Sequence, residues 1–142
     1  MISDYIWDRQ HGRGLDVYAD VRNLVSLVTF GCNIPLFSLD FDVATPIDLP
    51  GPGITKQTLI DASRWLNFLD RDDVLGWPLK PLYEGPLLTA RQRGTVDRIE
   101  DHEINVGGFV TSWNPASHND YWTDSDFTKP VAEYLGALLR AV

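Results

Sequence analysis

The stretch WLNFLDRDDVLG, residues 65–76, places five largely apolar residues directly before the carboxylates Asp70, Asp72 and Asp73. A run that short and that apolar predicts a strand covered on both faces, as in a parallel sheet. Open α/β sheets bind their ligands beyond the carboxyl ends of the strands, so acids at that place pose a functional question. A second run, LVSLVTF at residues 24–30, is almost continuously apolar and rich in β-branched residues, and it predicts another buried strand.

Working outward from these two runs, ISDYIWDRQ sets Ile2, Tyr5 and Ile6 on one face, with Trp7 beside them, and predicts a helix at the very start. HGRG breaks it, and LDVYADVRN, with Val17, Tyr18 and Val21, suits a short helical or turning segment. After GCNIP, the alternation in LFSLDFD predicts a further extended piece, and ATPIDLPGPGI an irregular connection. TKQTLIDAS predicts one or two helical turns, whereas residues 85–94 carry weak signals. TVDRIEDHEINVGGFV predicts one or two strands with a turn near Asp101 and His102. A polar and aromatic loop, TSWNPASHNDYWTDSDFTKP, then leads into a helix with Val131, Tyr134, Leu135, Leu138, Leu139 and Val142 on one stripe. Thr128 is the expected N-cap of that amphipathic helix and Pro130 belongs to its first turn, with Asp124 and Asp126 near the positive end of the dipole.

The totals bound what this chain can be. Its 142 residues, 44% apolar and 11% aromatic, suit one globular domain with a single moderate core. Twelve basic against twenty acidic side chains leave a net charge of -8, which repels phosphate backbones and anionic lipid. Nucleic acid is therefore set aside as a partner, and no apolar run reaches the roughly 18 residues of a membrane span. The start lacks a secretory pattern, so a cytoplasmic location is expected. Cys32 stands alone, which excludes an internal disulfide and a thiolate cluster; a small buried hydrophobe is its expected role.

By themselves Asp70, Asp72 and Asp73 read as a strand-ending turn, and His118 as a loop residue. Their order gives them a second meaning. An acid after one of the last strands, followed much later by a histidine just before a terminal helix, resembles the α/β-hydrolases. LVTFGCNIPLF, WLNFLDRDDVLGWPLKPL, the SHNDYWTD loop and the helix after it carry the resemblance, and they span most of residues 24–142.

What the resemblance implies is a partial α/β-hydrolase fold: a mostly parallel sheet of about three to five strands, flanking helices and the C-terminal helix, in one incomplete domain over residues 1–142. It makes His118 the general base and Asp72 or Asp73 the acid that orients it. Asp72 fits a D-x-V pattern and Asp73 fits with the register moved by one, while Asp70 lies close to the strand interior. His102 is a competing base in a segment expected to be a hairpin. Trp113, Tyr121 and Trp122 flank His118 as candidates for a substrate pocket, or else as anchors of the loop. A metal bound by these acids with His102 or His118 would use acceptable ligands, but the spacing matches no H-x-x-x-H or calcium-loop pattern, and no metal or other cofactor is expected.

The family also requires a serine on a Gly-x-Ser-x-Gly elbow. None of the serines at 3, 26, 38, 63, 112, 117 and 125 has glycines at those offsets. In the family the helix after the elbow resembles ISDYIWDRQ, which makes Met1 correspond to an internal position of a longer chain. The expected function is therefore the C-terminal part of a serine hydrolase acting on an ester or thioester, inactive alone for want of the nucleophile and its oxyanion donors. A strand as apolar as LVSLVTF wants a neighbour on each side, so a homo-oligomer or a complementing N-terminal segment is the expected partner. The alternative is a non-catalytic assembly module that docks through that unpaired sheet edge.

Overall fold

The computed structural model describes residues 2–12, 21–39, 44–106 and 120–142. Three strands, β1 (Leu27–Phe30), β2 (Trp65–Leu69) and β3 (Ile99–Glu103), form a parallel sheet in the order β1-β2-β3. The helices are α1 (Ile2–Gln10), α2 (Ile34–Phe37), α3 (Gln57–Ala62), α4 (Lys80–Tyr83), α5 (Ala90–Val96) and α6 (Ser125–Ala141). The strand predicted at WLNFL is β2, buried along its whole length between two neighbours. Period-two alternation then divides its side chains between two cores.

On one face Trp65 and Ile99 pack with Ile6 of α1, Ile34 of α2, Tyr83 of α4 and Val96 of α5. On the other, Leu66, Phe68, Val28 and Phe30 pack with Tyr121 and with Phe127, Val131 and Tyr134 of α6. Polar residues enter the first face in register: Thr29 lies opposite Asn67, and Asn67 opposite Asp101. Thr29 Oγ1 donates to Asn67 Oδ1 at 2.8 Å, and Asn67 Nδ2 donates to Asp101 Oδ1 at 2.7 Å. Asp101 also accepts the amides of Leu79 (2.8 Å) and Lys80 (2.9 Å), so this carboxylate begins α4 and ties it to the sheet.

Several sequence expectations are corrected. The first strand starts at Leu27 and not at Leu24, because the carbonyls of Arg22 and Leu24 accept the amides of Gly53 and Gly51, both at 2.7 Å, instead of joining the ladder. That crossing demands glycine: a Cβ on Gly51 would stand 2.4 Å from the Arg22 carbonyl oxygen. The extended piece expected from Leu36 onward begins as helix α2, with Pro35 in its first turn and the Asn33 carbonyl accepting from Leu36 and Phe37. There is no turn at Asp101 and His102: both lie inside the single strand β3, held parallel to β2. α5 lies where signals were weak, and a capping box between Thr89 and Gln92 starts it. α6 begins one turn before the expected Thr128, with Asp124 as N-cap accepting the Asp126 amide at 2.7 Å, so Pro130 lies inside the helix. Of the stripe expected to be buried on α6, Leu135, Leu139 and Val142 are exposed. No helix among the described residues is long and apolar enough to cross a membrane.

Candidate functional site

Where β2 ends, the chain must turn within the space between β3 and the segment before α6, and three aspartates make that turn in three different ways. Asp70, the first residue past the strand, is 4% exposed. Its Oδ1 accepts the Asp72 amide at 2.8 Å and its Oδ2 the Val106 amide at 2.6 Å, so it closes the turn and stitches the end of β2 to the chain leaving β3. Asp72 is exposed. Asp73, 5% exposed, accepts the Leu75 amide on Oδ1 at 3.0 Å and the Tyr121 hydroxyl on Oδ2 at 3.2 Å.

The two aspartates expected to alternate as the acid are thus unlike. One carboxylate is solvated and the other is buried and fixed by its neighbours. Asp70, set aside in the sequence as too interior, belongs to the same buried corner but spends both oxygens on backbone amides.

Tyr121 joins the corner to the C-terminal segment. Its side chain is fully buried against Phe30 (5.4 Å between ring centroids) and Phe127 (6.4 Å), and its hydroxyl accepts the Asp70 amide at 2.9 Å. Burial first, and the nearby Asp73 charge second, push the phenol well above its ordinary value. Among the described residues Tyr121 is wholly enclosed by these neighbours. Trp122 behaves differently: it is largely exposed and sits edge-on to Phe30 at 4.8 Å. His118 and Trp113 lie outside the described residues.

Gly76 completes the turn at close quarters. A Cβ there would meet the Tyr121 hydroxyl at 3.3 Å and Asp73 Oδ2 at 3.4 Å. Val74 and Trp77, which the sequence reading passed over, stand exposed on the same turn, with the Trp77 indole donating to the Val74 carbonyl at 3.0 Å. The signal that could have found them is their place: apolar residues between an acid corner and a proline have no strand or helix period to satisfy.

The competing base His102 is elsewhere. It sits within β3, stacked on Phe68 at 5.0 Å, with Nε2 3.5 Å from the Glu100 carboxylate, and it lines a hollow of about 350 Å³ between β3 and α6. Cys32, beyond the end of β1, is partly buried, and that burial raises its thiol above the ordinary value, with the Asp101 charge adding to the effect. Among the described residues no three His, Cys, Asp or Glu side chains come together to hold a metal ion.

The class that these features define is a three-layer α/β domain with a parallel sheet and a buried acid corner at the carboxyl end of its middle strand. No family model, curated protein or solved structure matches the chain.

Proposed function

We propose that the chain is the C-terminal part of an α/β serine hydrolase acting on an ester or thioester, with Asp73 as the acid and His118 as the general base. The observation that carries the reading is the Asp73 carboxylate, buried at the end of the middle strand and bonded to Tyr121, three residues beyond His118 in the chain. An acid that orients a histidine needs a fixed carboxylate shielded from water. Asp73 has that setting and the exposed Asp72 does not.

In this reading His118 takes the proton of a serine supplied from outside residues 1–142, and Asp73 stabilises the imidazolium so formed. The sequence holds no Gly-x-Ser-x-Gly, so the chain alone has nothing for that histidine to activate. Trp77 and Trp122 border the corner as apolar surface for an acyl group.

The test has two arms. The purified chain should show neither fluorophosphonate labelling nor turnover of a short-chain nitrophenyl ester; either one would refute its incompetence. A longer polypeptide that includes the codons in frame upstream should label at a serine within Gly-x-Ser-x-Gly. There Asp73→Asn should lower kcat by about 10⁴-fold and Asp72→Asn should not. An upstream frame without that motif, or activity indifferent to Asp73→Asn, overturns the proposal.

A second reading, a non-catalytic assembly module, is favoured by one observation: β1 pairs with β2 on one side and with no described strand on the other. A saturable complex formed without hydrolysis would decide for it.

A further inference from the structure

The strands begin at the end of the sheet away from the acid corner, and there the described residues enclose another hollow, of about 280 Å³. It is lined by Pro50, Pro52 and Ile54 from the connection before α3, by Ile60 of α3, by Arg91 of α5 and by Arg98, the residue ahead of β3. The connection is pinned beside the start of β1, where the carbonyls of Arg22 and Leu24 accept the Gly53 and Gly51 amides. β3, five residues long, separates Arg98 from the carboxyl end of the sheet by about 16 Å.

The two arginines are held by different means. Arg91 Nε bonds Asp48 Oδ2 at 2.7 Å, and the Asp48 backbone is fixed in turn by both polar atoms of the Gln10 side chain. The Arg91 charge is therefore matched, while its two terminal nitrogens have no acceptor among the described residues.

Arg98 meets carbonyls alone. Nη1 donates to Gly94 at 2.6 Å and Nη2 to Ile60 at 3.5 Å, whereas Nε is shut away from water with no acceptor. A guanidinium has five N–H donors and a charge that does not titrate away. The carboxyl ends of α3 and α5 steer this one and soften its charge, but no carboxylate among the described residues pairs with it. In a chain of twenty acidic and twelve basic side chains, that is not for want of acids.

We propose that this hollow binds a small organic carboxylate, whose charged group bridges Arg98 and Arg91 while its apolar body lies on Pro50, Pro52, Ile54 and Ile60. One unmatched positive charge fits a monoanion better than a phosphate. Guanidinium forks suit the planar carboxylate, which takes two parallel N–H bonds. The apolar lining favours a ring or short chain over an inorganic ion, and the volume sits at the small end of ligand pockets. The inference rests on neither reading of the function, since the site lies at the other end of the sheet from Asp73.

Benzoate is the probe, followed by amide shifts in the magnetic resonance spectrum of the full chain. It should saturate with a Kd of about 1 mM or tighter, moving the amides of Ile54, Gly94 and Arg98 and leaving those of Leu75 and Gly76 in place. Benzamide has the shape without the charge, and inorganic phosphate the charge without the ring; each should bind at least about 10-fold more weakly. Arg91→Gln, at a half-exposed position, should weaken benzoate about 10-fold while far-ultraviolet circular dichroism stays unchanged. Arg98→Lys keeps the charge, loses the fork and should weaken it by a similar factor. Should the lysine variant fail to fold, Arg91→Gln decides. Shifts that do not saturate by about 20 mM overturn the proposal. So does benzamide or phosphate binding as tightly as benzoate, an affinity indifferent to Arg91→Gln, or a set of shifts centred elsewhere on the chain.

Discussion

The two faces of the sheet are covered by opposite means. On one, four short helices each contribute a residue or two, and Trp65, Leu79 and Ile99 are sealed. On the other, among the described residues, one 17-residue helix does most of the covering and still leaves Leu135 and Leu139, with Val142 just past its end, in water. The difference teaches that coverage follows the number of independent directions of approach and not helix length: a single cylinder touches a sheet along one line.

The sharpest way to break the comparison is to empty the closed face. Trp65→Ala should destabilise the fold by about 3 to 5 kcal/mol, measured by urea unfolding, because nothing can relax into the space from both the sheet and the helices. A loss under about 1 kcal/mol would mean that the closed face is not closed. Next comes the polar contribution to that face. Asp101→Ala leaves the Leu79 and Lys80 amides without their acceptor and Asn67 Nδ2 with only the Trp77 carbonyl, and should cost about 3 kcal/mol.

Tyr121→Phe tests the open face at a buried hydroxyl. It removes the acceptor of the Asp70 amide and one donor to Asp73, for an expected loss of about 2 kcal/mol at neutral pH. Because folding raises the phenol's pKa, the unfolded chain sheds this proton first as pH rises. Stability should therefore be flat below the ordinary tyrosine value of about 10 and fall above it, up to the raised folded value. The Phe variant should lack this component of the decline, and unchanged unfolding curves across that range would count against the buried Tyr121–Asp73 contact. The smallest effect is expected at the capping box: Thr89→Ala should cost about 1 kcal/mol, read as a small fall in urea midpoint.

How far the sequence could be read follows the same division. WLNFL was legible as a strand because both of its faces are buried, and its run of apolar residues says so. β3 was read as strand broken by a turn near Asp101 and His102 because IEDHE lies at the other edge of the described sheet and carries charge on both faces: Asp101 on one to the α4 amides, Glu100 on the other to Arg64 at 2.9 Å. Period and composition cannot tell such a strand from a loop. α5 was passed over although Thr89 and Gln92 stood at capping-box spacing, since Gly94 and two arginines mask its short apolar content. At the corner, the sequence offered two acids and a D-x-V pattern that favoured Asp72. The proposal of Asp73 instead rests on burial, which a neighbouring strand and Tyr121 impose from residues far along the chain.

The row Thr29–Asn67–Asp101 has a consequence for assembly of the sheet itself. Each strand contributes one polar side chain at one level, and each bonds to the next. If β1 or β2 slid by a single residue, Asn67 would face Val28 or Phe30 or the opposite core, and its bond to Thr29 would be lost. Apolar contacts alone tolerate such slips, since one leucine resembles another. The polar row works as proofreading: it rejects misaligned pairings while the strands are coming together, and it admits one alignment of all three.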